Sequence, residues 1–225
     1  MTNYPEPKAF PVGANFTDGV WSQALSARTT TQNRPALFLD RDGVVVEEAH
    51  YLHKVEDVCL TPGAAQTIKA ANERNIPVIL VTNQAGVGYG YFGWDEFVAV
   101  QNRILSDLAL GGAHVDGVFA CPFHAKAKGV YVHEDHPARK PNPGMLLLAR
   151  ERLGIDLSKS WIVGDRSLDV FAGKNAGLCG AVHVSTGHGT KDGERDAALA
   201  AAQNGFSVTP AANLGAARAL ISILD

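Results

Sequence analysis

Four apolar residues, Ala36-Leu37-Phe38-Leu39, stop abruptly at Asp40-Arg41-Asp42-Gly43, and this break constrains the chain more than any other stretch. An apolar run of that kind reads as a buried strand, and Gly43 eases the turn that must follow it. Open parallel sheets bind ligands in the crevice at the carboxyl ends of their strands, which is where both acids would emerge. Two carboxylates one residue apart repel unless a proton or a cation holds them. Asp40 and Asp42 therefore point to a divalent metal with oxygen ligands, such as Mg2+, and leave one carboxylate free to attack.

From Ala36 onward, strands and helices alternate. Pro62-Gly63 opens a helix to about Asn75, followed by the buried strand Pro77-Val78-Ile79-Leu80-Val81. A helix from about Trp94 to Leu110, with Phe97, Ile104, Leu105 and Leu108 on one side, leads to a strand at 117–120. Helix 144–153 precedes strand 161–163, and helix 168–176 precedes strand 181–184. The Ala-rich piece 197–202 reads as a helix, and 211–224 as an amphipathic helix that closes the domain. This rhythm predicts an α/β fold: a doubly wound, Rossmann-like, mostly parallel sheet with helices on both faces. Residues 1–35, rich in Pro, Gly, Thr and Asn, are expected to lie as an arm over a domain spanning 36–225.

The composition, 46% hydrophobic and 19% charged over 225 residues, is that of a chain able to fill one core. A net charge of −3 gives no sign of a nucleic-acid surface. Cys59, Cys121 and Cys179 are odd in number and scattered, which favours a reducing compartment over a disulfide framework. Neither a signal-peptide pattern nor a bilayer-length apolar run is present, so a cytoplasmic protein is expected, without membrane or nucleic-acid partners.

Each further strand end delivers a polar group. Thr82-Asn83-Gln84 offers a hydroxyl and amides to phosphate oxygens, with Gly86 and Gly88 leaving room for close approach. Arg139-Lys140-Pro141 places two cations before a proline that fixes the backbone, and Gly164-Asp165-Arg166-Ser167-Leu168-Asp169 places two carboxylates four residues apart. The first of these can complete a metal site, and the second can orient it or pair with a lysine. Singly, these are ordinary helix caps and solvated charges.

Taken in order, Asp-x-Asp-Gly, Thr-Asn, Lys-Pro and Gly-Asp-x-x-x-Asp resemble the four motifs of the haloacid dehalogenase superfamily, over roughly residues 36–184. The resemblance implies an aspartyl-phosphate mechanism. Asp40 would be the nucleophile. Asp42 would protonate the leaving oxygen and then activate water. Mg2+ would sit on Asp40, the Asp42 carbonyl and Asp165, with Asp169 supporting. Thr82 and Lys140 would bind the transferring phosphoryl group. The segments between the motifs are used up by single helices and strands, so a capless member is expected, its specificity carried by short loops.

Within the superfamily, Asp40-Arg41-Asp42-Gly43-Val44, Val81-Thr82-Asn83-Gln84-Ala85-Gly86, Cys121-Pro122-Phe123-His124 and Arg139-Lys140-Pro141 resemble the branch of heptose bisphosphate and histidinol-phosphate phosphatases. That branch implies a phosphorylated sugar as the small-molecule partner of a monomer, with histidinol phosphate or another small ester as the alternative. A fold that had lost catalysis would be marked by loss of Asp40 or Asp42, and both are present. Asn83 and Arg139 would contact substrate, with Glu47, His50, Tyr51, Tyr89 and Tyr91 as further candidates in the loops. The branch also implies a structural Zn2+ on three cysteines and a histidine before Arg-Lys-Pro. This chain departs from it, with Phe123, His136 and Ala138 at three ligand positions. A substitute zinc site in loop 121–138 can be drawn from Cys121, His124, His133 and His136.

Overall fold

The computed structural model describes residues 2–25 and 33–225. Its centre is an eight-stranded sheet: β1 (Ala14–Thr17), β2 (Val20–Ala24), β3 (Leu37–Leu39), β4 (Val78–Asn83), β5 (Gly117–Cys121), β6 (Trp161–Gly164), β7 (Gly180–Val184) and β8 (Ser207–Ala211). The spatial order is β1-β2-β5-β4-β3-β6-β7-β8, parallel from β5 to β8. β3, β4 and β6 are buried residue for residue apart from Asn83, as a sheet covered on both faces requires.

The chain leaves β3 toward β4 and β5, then returns to β6 on its other side. Asp40 therefore emerges where the strand order reverses, the place at which open α/β sheets form their crevice. The connecting helices are α1 (Ala64–Glu73), α2 (Ala85–Tyr89), α3 (Trp94–Leu110), α4 (Gly144–Leu153), α5 (Ser167–Ala176), α6 (Glu194–Ala200) and α7 (Leu214–Ala217). Right-handed crossovers place α1 and α3 on one face and α4 to α6 on the other. Contacts of α4 and α6 with α5, and of α1 with α7, agree with two layers. On α3, Phe97, Val100, Ile104 and Leu108 are buried at helical spacing. Between β3 and β4 lie only a loop, one 3-10 turn and α1, so no cap domain is inserted there. No described helix is long and apolar enough to cross a membrane.

Two segments differ from expectation. Residues 14–24, expected in an arm over the domain, form a β1–β2 hairpin that extends the sheet antiparallel to β5. Trp21 anchors it, stacked on Trp94 at 5.8 Å and set edge-on to Phe97 at 5.7 Å. The stretch 211–224, expected as one amphipathic helix, begins as the end of β8 and continues as the short α7 and two 3-10 turns. β8 contains Pro210, which an edge strand tolerates because only one of its sides is paired. Asn213 then caps α7 by accepting the Ala216 N–H at 2.9 Å.

Candidate active site

The carboxyl ends of β3, β4 and β6 converge on a cleft of about 290 Å³. This is the small end of the range for small-molecule sites. Asp40, Asp42, Thr82, Asn83, Arg139, Lys140, Asp165 and Asp169, all anticipated from the sequence, line it.

Asp40 leaves β3 with its Oδ1 accepting two hydrogen bonds, from the Arg41 N–H at 2.8 Å and from Lys140 Nζ at 2.8 Å. Among the described residues no hydrogen bond to its Oδ2 accompanies these. Lys140 is buried, and its ammonium also meets Asp169 Oδ1 at 2.5 Å and the Val81 carbonyl at 2.8 Å. All three of its N–H groups are thereby engaged. Asp169 turns its other oxygen to the Arg166 N–H at 3.0 Å, at the start of α5. Burial opposes the charge on Lys140, but Asp169 and Asp40 more than compensate and hold its pKa above the usual lysine value.

Asp165, at the end of β6, accepts the His188 N–H on Oδ2 at 2.6 Å, while its buried Oδ1 has no hydrogen-bond partner among the described residues. Gly43, at φ 84°, lies against this carboxylate so closely that any side chain there would strike it. Burial pushes Asp165 up to about 8, with Asp40 and Asp169 adding repulsion. Burial likewise pushes Asp40 up to about 7, against the pull of Lys140. Three carboxylates thus share one ammonium, and Asp40, Asp165 and Asp169 bring ligand oxygens within 4.8 Å of one another. A partnerless buried oxygen among under-neutralised carboxylates fits a hard divalent cation.

Asp42 lies on the other side of Asp40. Arg41 grips it through Nε to Oδ2 and Nη2 to Oδ1, both at 3.0 Å. Gln84 donates to the same Oδ2 at 3.1 Å, and Thr82 lies 3.5 Å from it. The sequence reading missed Arg41 and gave Gln84 only a phosphate role. A cation between two acids was the available signal. Asn83 clasps the Lys140 main chain, donating to its carbonyl and accepting its N–H, each at 3.0 Å. Asn83 also lines the cleft. Gly86 and Gly88 make room for the Phe92 ring and the Pro122 carbonyl.

At the mouth, half-buried Arg139 donates to the Phe123 carbonyl at 2.9 Å and lines the cleft with Arg166, Lys191, Tyr51 and Tyr89. Arg166 and Lys191 were not anticipated. Tyr91 is exposed and meets Tyr51 edge-on at 5.1 Å.

The zinc expectation is not met. Among the described residues, only the three aspartates form a group able to hold a metal. Phe123 lies flat on the His136 ring, centroids 3.8 Å apart. The Nδ1 atoms of His124, His133 and His136 each accept a main-chain N–H two residues on. Cys121 Sγ is 3.9 Å from His136 Nδ1, and burial pushes the thiol up to about 12. An aromatic cluster of Tyr4, Phe123 and Tyr131 organises the loop instead.

The comparisons agree with this geometry. The model of the haloacid dehalogenase-like hydrolases matches residues 13–177. A Mesorhizobium japonicum protein named D-glycero-beta-D-manno-heptose-1,7-bisphosphate 7-phosphatase is 42% identical over 209 residues, 93% of this chain and 88% of its own. A Pasteurella multocida protein of the same name is 38% identical, over 73% of this chain and 89% of its own. A Mesorhizobium loti crystal structure, classed as a HAD-like phosphatase, superposes with a TM-score of 0.81 at 41% identity, over 92% of this chain and 94% of that one. The D,D-heptose 1,7-bisphosphate phosphatase of B. bronchiseptica, solved with magnesium and phosphate, does so at 0.69 and 30%, over 84% and 99%. With its four motifs gathered at one crevice and a family match over residues 13–177, this chain belongs to the haloacid dehalogenase-like hydrolases.

Proposed function

We propose that the chain is a Mg2+-dependent phosphatase that removes the 7-phosphate of D-glycero-D-manno-heptose 1,7-bisphosphate. The observation that carries the chemistry is the buried group of Asp40, Asp165 and Asp169, whose ligand oxygens lie within 4.8 Å of one another, with no hydrogen-bond partner on Asp165 Oδ1 among the described residues. Asp40, the Asp42 carbonyl and Asp165 would hold Mg2+, which neutralises charge on the phosphoryl oxygens. Asp40 attacks phosphorus in line, the ester P–O bond breaks, and Asp42 gives a proton to the departing oxygen. Water then attacks the aspartyl phosphate, Asp42 takes back a proton, and inorganic phosphate leaves as Asp40 is regenerated. Lys140 lessens the repulsion between Asp40 and the incoming dianion.

The substrate assignment is supported by the names of relatives at 35–42% identity and by the cations at the mouth. Arg139, Arg166 and Lys191 line the rim, where a second phosphate would meet positive charge. The test is phosphate release with Mg2+ from both anomers of the heptose bisphosphate, fructose 1,6-bisphosphate and histidinol phosphate. A strong preference for one heptose anomer, abolished in Asp40→Asn, is expected. Equal, slow rates across the panel would overturn the substrate, and turnover surviving Asp40→Asn would overturn the mechanism.

A further inference from the structure

Arg41 stands between the two catalytic carboxylates and bonds to both, through its main-chain N–H to Asp40 and its guanidinium to Asp42. Its side chain is 1% exposed, against 20% for Asp42. The guanidinium thus approaches from inside the protein, leaving the carboxylate to show one edge to the cleft. The Phe97 ring lies beneath it, 5.6 Å from the guanidinium carbon. Its carbonyl accepts the N–H groups of Val45 and Val46, so the backbone cannot relax away.

The donors on Asp42 are unevenly shared. Oδ2 receives Arg41 Nε and Gln84 Nε2, with the Thr82 hydroxyl at 3.5 Å, while among the described residues Oδ1 receives Arg41 Nη2 alone. A carboxylate oxygen surrounded in this way has no lone pair left for a mobile proton. Oδ1 does.

We infer that Arg41, with Gln84, is a positioning residue that fixes the Asp42 carboxyl so that Oδ1 alone exchanges the proton with the leaving oxygen and then with water. This rests on reading Asp42 as the acid and base. In the first step the Asp40–phosphorus bond forms, the ester P–O bond breaks, and the Oδ1 proton goes to the alkoxide. In the second, Oδ1 takes one proton from the attacking water as the Asp40–phosphorus bond breaks. A lysine could supply the charge but not the two parallel N–H bonds that set the plane of the carboxyl.

The test compares kcat/KM, which reports steps through phosphorylation, for a primary alkyl phosphate and for p-nitrophenyl phosphate. The nitrophenolate leaves without a proton, so only the alkyl ester feels the acid. Arg41→Met is expected to lower kcat/KM for the alkyl ester about tenfold or more beyond its effect on the aryl ester, with Arg41→Lys intermediate. Gln84→Leu, a milder change at the same oxygen, should show the same selectivity to a smaller degree and decides the matter if Arg41→Met does not fold. Equal losses on both esters would mean a purely structural role and overturn the inference. Asp42→Asn is the control. Uniform loss there would reject Asp42 as the acid, whereas selective loss there with uniform loss in the Arg41 and Gln84 variants would reject only the positioning role.

Discussion

The strand-end crevice and loop 121–138 each gather metal-ligating side chains, yet only the crevice brings them to one point. Asp40 and Asp165 ride on neighbouring parallel strands whose register is fixed by main-chain bonds, Leu39 beside Val163, so their carboxylates meet whatever fills the site. Lys140 and Asp169 are then drawn in by charge. In the loop a single main-chain bridge, His124 with Val132, ties the two sides, and Phe123 rather than a metal ligand covers the His136 ring. A metal site built on a sheet is imposed by the fold, whereas one built on a loop survives only while every ligand is kept.

The largest expected effect tests the crevice. Asp40→Asn removes the nucleophile while keeping its shape, and activity should fall by about 10⁴-fold or more, as phosphate release with Mg2+ would read. A fall of less than about a hundredfold would mean that another group attacks.

Lys140→Met comes next. It leaves Asp40 and Asp169 buried without their ammonium, and urea unfolding of the metal-free protein should show a loss of about 3–5 kcal/mol, the usual cost of breaking a buried pair. A loss near zero would show that the carboxylates relax or take up protons unaided.

The pH dependence is smaller but sharper. Asp40 and Asp165, pushed up to about 7 and about 8, favour the proton-bearing form in the folded protein. Their contribution to stability is therefore full below the ordinary carboxylate range and is lost as pH rises through those values. Mg2+ offsets that loss, so the gain in Tm on adding it in place of EDTA should be larger near about pH 8 than near about pH 5. An equal gain at both would place the cation elsewhere.

The loop should respond least. His133 is exposed, and His133→Asn should change stability by no more than about 0.5 kcal/mol. A zinc-selective chelator should leave Tm unmoved in the presence of excess Mg2+. A large drop on chelation would restore the comparison to two metal sites.

Asp40, Asp42, Asp165 and Thr82 were legible because each ends or follows an apolar run whose period marks a strand, and in a parallel sheet all such ends share one edge, whereas Lys140, in the loop before α4, and Asp169, within α5, were legible only through the motifs they complete. Helix limits were legible for the same local reason: the helix expected from about Trp94 to Leu110 and the one at 144–153 are both found there. What escaped was decided through space. β8 was missed because Pro210 reads as a breaker and is tolerated only at an edge, and edges exist only once the sheet is assembled. The β1–β2 hairpin depends on Trp21 finding Trp94 across the fold. The bond of Arg41 to its own neighbour, the pairing of Gln84 with Asp42 and the commitment of Asn83 to the Lys140 peptide are choices among donors that propensity cannot rank. By itself the sequence determined which acids stand at strand ends and in what order, since period and chain order are local properties. Only the tertiary structure decided which donor each carboxylate oxygen receives, because that depends on burial and on partners up to a hundred residues away, as with Lys140 and Asp40.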